Sequence, residues 1–145
     1  MPATFKRLFQ LTSQELFLFL KAGAIATFYS TIIFIFPFRF YAKWLGEKGK
    51  SCEYTNDQTV FYKAKTIERA MLRVKRYFPF RIKCLARALA AKYLLKKQKI
   101  PSTIYLGVAK ENSEKITAHA WLDCCGITVS GKEEKQKFKS LVYFS

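Results

Sequence analysis

The periodicity of this chain changes once, at Ile100–Pro101, and that change restricts the folds open to it. Before the proline, apolar residues recur at the three- and four-residue spacing of helices; after it they alternate. Helices first and strands afterwards specify an α+β class, with N-terminal helices followed by a small antiparallel sheet. Ile104, Leu106 and Val108 lie on one face of the first strand, and Glu111 to Glu114 form a hairpin-type loop. Ile116, Ala118, Ala120 and Leu122 then alternate with Thr117, His119, Trp121 and Asp123, so the last four share a face. Cys125-Gly126 suits a turn, Ile127 to Ser130 returns, and Phe138 to Phe144 completes the expected meander.

Upstream of the switch the helix boundaries are marked by the residues themselves. Thr12 and Glu15 have the spacing of a capping box, in which the hydroxyl takes an unpaired backbone N–H and the carboxylate reaches back. A helix is expected from there to about Phe36, because Pro37 excludes the helical conformation at the residue before it. A second is expected from about Gln58 to Tyr77, with Val60, Ala64, Ile67, Met71 and Val74 on its inner side. Phe78-Pro79-Phe80 breaks it, and a third follows from Cys84 to about Lys97, rich in alanine and leucine.

The first helix is apolar almost all round, with Lys21 as its single basic residue. From Ala22 to Phe38 it sits at the lower edge of the roughly 17–25 residues that a bilayer span needs. Lys21 and Arg39 flank that stretch and can snorkel to headgroups. A core helix, an in-plane anchor and a span all fit, and something must cover so much apolar surface. The reading favours contact with a membrane or a permanent partner through residues 13–36. Residues 1–42 are therefore taken as an apolar N-terminal unit and residues 43–145 as the main domain, joined by the polar stretch from Lys43 to Thr59.

A chain of 145 residues suits one core. Cys52, Cys84, Cys124 and Cys125 are too few and too irregular for a disulfide framework, which points to free thiols in a reducing, cytoplasmic compartment. One histidine and no Cys-x-x-Cys pair argue against a zinc site, and no cofactor is expected. The net charge of +16 is concentrated between Lys63 and Lys99, where Glu68 is the only acid. Such a band attracts anions: nucleic acid, an anionic membrane or an acidic peptide. It lacks the interleaved aromatics of single-strand binders, so nucleic acid is not the expected partner.

Cys84 opens a helix, where unpaired backbone N–H groups and the dipole favour a thiolate. His119, the sole histidine, lies on a strand and can pair with it, the arrangement that activates a cysteine nucleophile. Taken singly, a cysteine in such a helix is most often a core residue and a strand histidine most often structural.

The runs Lys83-Cys84-Leu85-Ala86-Arg87-Ala88-Leu89, Leu106-Gly107-Val108, Ala118-His119-Ala120-Trp121-Leu122-Asp123 and Gly126 resemble the leader peptidases of lasso-peptide biosynthesis, which are transglutaminase-like cysteine proteases. The opening from Leu8 to Glu15, with its apolar helix and Pro37-Phe38-Arg39, resembles the start of the same proteins. The resemblance implies a transglutaminase/papain-like core with Cys84 as nucleophile and His119 as general base and acid. It also implies that the substrate is a precursor peptide, with a small leader-recognition protein and a lasso cyclase as partners. The family often carries an acid about twelve residues after the histidine, and here that place is Gly131. The orienting group stays open between Asp123, Glu133 and a backbone carbonyl. Asp123 shares the face of His119, yet four residues of strand is about 13 Å, too far for a direct hydrogen bond without a bulge. Two other readings remain: another acyl transferase using the same pair, and a non-catalytic basic adaptor for membrane or nucleic acid.

Overall fold

The computed structural model describes residues 6–145; Phe5, in the basic and aromatic opening, lies outside the described residues. Three long helices precede a four-stranded sheet: α1 (Ser13–Ile35), a single turn α2 (Phe38–Tyr41), α3 (Gln58–Tyr77) and α4 (Cys84–Lys97). The strands are β1 (Thr103–Lys110), β2 (Ile116–Cys124), β3 (Ile127–Ser130) and β4 (Lys139–Phe144), in the spatial order β3-β2-β1-β4.

Local chemistry sets the helix ends. Thr12 accepts from the Glu15 N–H at 3.3 Å while Glu15 takes the Thr12 N–H at 3.2 Å, closing the capping box. Asp57 caps α3 through the Thr59 N–H at 2.8 Å. The start of α4 has no such cap: Lys83 occupies the N-cap position and its side chain makes no capping bond. Among the described residues no N-cap side chain takes those first N–H groups.

One face of the sheet packs on α3 and α4, and α1 lies outside them against both. The core joins Ile67, Met71 and Val74 of α3, Leu89, Leu94 and Leu95 of α4, and Ile104, Leu122 and Val129 of the sheet. Each such aliphatic side chain contributes roughly 1.5–3 kcal/mol by leaving water. The opposite sheet face carries aromatic rings: Tyr105 stacks on Trp121 at 5.6 Å, and Tyr143 meets Tyr105 at 5.7 Å. Gly107 permits this, because a Cβ there would sit 2.8 Å from the Trp121 ring.

The strands depart from a simple meander at β4, which crosses to pair with β1 instead of β3. The reason is length. β3 has four residues, whereas β1 has eight and a free edge, so β4 completes more backbone bonds there. Because β3 pairs only with Leu122 to Cys124, the β2 edge from Ile116 to Trp121 has no strand partner on that side among the described residues. The active geometry is built on that edge.

By length and composition α1 can cross a membrane. Here it docks through one stripe, Phe19, Ala22, Gly23 and Ala26, with Gly23 against the Phe78 ring, where a Cβ would fall 2.0 Å from the nearest ring atom. Arg73 of α3 also reaches Glu15 at 2.9 Å. The outward side keeps Phe17, Leu20, Phe28, Phe34 and Ile35 exposed. The polar stretch after α2 is no free tether: Glu47 and Ser145 exchange two backbone hydrogen bonds, at 2.8 and 3.1 Å.

Candidate active site

The uncapped mouth of α4 brings Cys84 to the bare edge of β2. There the thiol meets the His119 imidazole and the Ala120 backbone N–H. Burial alone would push the thiol up, but the imidazole, the amide and the nearby Arg87 guanidinium outweigh it and hold Cys84 below the usual thiol range. The same contact raises His119: the Cys84 partner favours the imidazolium, burial opposes it, and the Gly131 carbonyl and the Glu134 charge add support. The two shifts point the same way, toward a thiolate–imidazolium pair.

The ring of His119 is fixed from its far side. Nε2 lies 3.1 Å from the Gly131 carbonyl oxygen and donates to it, which leaves Nδ1 for the sulfur. Glu134 approaches Nδ1 at 3.8 Å, beyond a hydrogen bond but close enough to favour positive charge. Phe138 covers the ring at a centroid distance of 4.9 Å, and Trp121 stacks beside it at 6.2 Å. The imidazole is 5% exposed, so its hydrogen bonds carry more weight than they would in water.

Asp123 is not brought to His119. Its carboxylate accepts from Lys135 at 2.7 Å and from Thr128 at 2.8 Å, on the strip of β2 that β3 covers. Glu133 turns outward and pairs with Lys75. Of the three orienting groups the sequence left open, the backbone carbonyl is the one beside the imidazole, and it belongs to Gly131, twelve residues after His119. Gly131 has φ +83°, and a Cβ there would stand 2.7 Å from the Ala120 carbonyl oxygen and 3.0 Å from Nε2. Only glycine fits. Glu134 was not among the groups the sequence left open; Gly131 stood out only as the place where the resembled family is expected to carry an acid.

The remaining cysteines stand apart from this chemistry. Cys124 and Cys125 are buried with their sulfurs 3.3 Å apart, and burial pushes the Cys124 thiol far up. The Cys52 N–H donates to the Thr103 hydroxyl at 2.8 Å. All four are free thiols.

The model of the transglutaminase-like superfamily matches residues 33–143, about three quarters of the chain. The chain belongs to the transglutaminase-like superfamily. Its members are typically cysteine-dependent enzymes of protease or acyl-transfer type, and an α+β fold with a four-stranded antiparallel sheet agrees with membership. No curated protein and no solved structure matches the chain significantly. Within this transglutaminase-like domain the match takes in Cys84, His119 and Gly131, and starts near the end of α1.

Proposed function

We propose that this protein is a cysteine peptidase that removes the leader from a ribosomally synthesised precursor peptide during lasso-peptide maturation. The observation that carries the reading is the meeting of the Cys84 thiol, at an uncapped helix mouth, with an imidazole whose other nitrogen is held by Gly131. In the reaction, the Cys84 thiolate attacks the scissile carbonyl and forms a C–S bond. The oxyanion develops beside the free N–H groups at the start of α4, which carry partial positive charge. His119, as imidazolium, gives its Nδ1 proton to the departing amine as the C–N bond breaks. It then takes a proton from water, whose oxygen attacks the thioester carbonyl and releases the leader acid and the free thiol.

The resemblance of nearly the whole chain to lasso leader peptidases supports the choice of substrate. It also supports the partners: a separate leader-recognition protein that delivers the precursor and a cyclase that receives the product. The protein acts in the cytoplasm, and the exposed outer side of α1 lies against the membrane surface, with Lys21 and Arg39 toward the headgroups. Co-expression of Cys84→Ala with the precursor and the recognition protein tests the assignment: full-length precursor accumulates, and mature peptide in that strain refutes it. Mass spectrometry of purified precursor after incubation separates hydrolysis, which gives two fragments, from acyl transfer, which gives a mass-shifted intact peptide.

A further inference from the structure

The segment between α3 and α4 does more than join two helices. Phe80, Arg81 and Lys83 line an open cleft that contains Cys84 and Arg87, and the same three residues line a second hollow against α1, floored by Thr27, Thr31 and Phe34. The two hollows adjoin along the Phe80–Lys83 strip and are taken together as one channel, from the cleft that holds Cys84 to the Thr27, Thr31 and Phe34 side of α1.

The walls of this channel are apolar and basic. Phe34 is 86% exposed and Phe80 48% exposed, so each presents an uncovered ring. Among the described residues, Arg81 and Lys83 have no carboxylate within salt-bridge distance, while Lys75 is already paired with Glu133. Arg87, which also lines the cleft, keeps its Nε–H buried with no hydrogen-bond partner among the described residues. Among the described residues Glu134 is the only acid lining the cleft, and it stands on the His119 side.

We infer that this channel binds one side of the substrate peptide, and that it selects an apolar residue together with acidic side chains close to the scissile bond. The inference rests on the peptidase reading for the bond that is cut, but the binding itself does not need the cut. Phe80 stands four positions before Cys84, so their Cα atoms lie within about 14 Å of each other. An extended peptide covers that distance in roughly four residues. The apolar residue therefore falls no more than about four positions from the cleavage point, with acidic neighbours facing Arg81 and Lys83. Cations at exposed positions steer and orient such a peptide, and the ring contacts hold it.

The test uses the full chain carrying Cys84→Ala and fluorescein-labelled synthetic octapeptides read by fluorescence anisotropy. One peptide holds Phe and two Glu within four residues of a central Gly; a second replaces both Glu with Lys; a third replaces Phe with Gly. The first is expected to bind at least tenfold tighter than either of the others at low salt. Arg81→Glu combined with Lys83→Glu, both exposed and outside any helix or strand, reverses the order of the Glu and Lys peptides. Equal binding of the three, or an unchanged order in the reversed variant with intact circular dichroism, overturns the channel. Wild-type protein is then incubated with the same peptides. Selective binding leaves the channel standing whether or not these peptides are cut, the peptidase reading being decided by the Cys84→Ala co-expression; cleavage without selectivity overturns the channel and leaves the peptidase reading standing.

Discussion

Replacing Gly131 with alanine tests the orienting carbonyl directly. The new Cβ would lie 2.7 Å from the Ala120 carbonyl oxygen, 2.9 Å from Trp121 Cβ and 3.0 Å from His119 Nε2. The first contact is backbone of the neighbouring strand, so the loop must retreat and take its carbonyl away from the imidazole. Holding a side-chain-bearing residue at positive φ costs about 1–2 kcal/mol. Leaving the buried Nε2–H without an acceptor costs about 1–3 kcal/mol more. For a chain of this size the sum, about 2–5 kcal/mol, lowers Tm by roughly 4–20 °C, at some 2–4 °C per kcal/mol. If the orphaning cost falls on orientation of the imidazole in the transition state, kcat/KM drops about 5- to 150-fold. The assay pairs precursor cleavage with the pH profile of Cys84 alkylation by iodoacetamide, measured well below the melting temperature. An unchanged profile with cleavage within twofold of wild type would refute the role given to the Gly131 carbonyl.

Other outcomes follow from the same geometry. Asp123→Asn loses the Lys135 ion pair at a cost of about 1 kcal/mol, yet cleavage stays within threefold, since the carboxylate does not touch His119. Larger losses with intact stability would return Asp123 to the site. Cys84→Ala removes the leading cause of the raised His119 value, so the imidazole NMR resonance titrates at lower pH than in wild type; an unshifted titration contradicts the pair. The pH dependence of stability has two signs. His119, raised on folding, contributes below about pH 6.5 and loses that contribution as pH rises through its folded value. Cys84, lowered on folding, contributes above about pH 8.5 and loses it as pH falls through its folded value. Denaturant melts of wild type against Cys84→Ala across pH 5–10 measure both. Gly23→Leu drives a side chain into the Phe78 ring and destabilises the fold by about 1–3 kcal/mol, read as a fall in denaturation midpoint; an unchanged midpoint means that α1 does not dock through this stripe.

Local rules explain what could be read from the residues. The capping box at Thr12, the breaks at Pro37 and Pro79 and the alternation after Pro101 are nearest-neighbour signals; α1 begins and ends beside two of them, and α3 ends just before a third. The non-local features were hidden. The pairing of β4 with β1 depends on which strand has a long free edge, and no residue in β4 announces that. Asp123 looked suitable because side chains alternate along a strand, but Lys135, brought back by the turn after β3, competes for it. The acceptor for His119 is a main-chain oxygen, which every residue possesses; only the glycine that lets the chain come close leaves a trace. The same limit applies to the channel, whose two walls come from α1 and the Phe80–Lys83 strip, far apart in the chain.

The exposed rings on α1 have a practical consequence at the bench. Handling such a protein invites detergent, and alkyl chains will gather where Phe34 and Phe80 stand uncovered. Phe80 lines the cleft that holds Cys84 and Phe34 the adjoining hollow, so a surfactant that keeps the protein dispersed competes with peptide for the proposed channel. Turnover recorded in micelles should therefore fall as surfactant rises and recover with added peptide, the pattern of a competitive inhibitor.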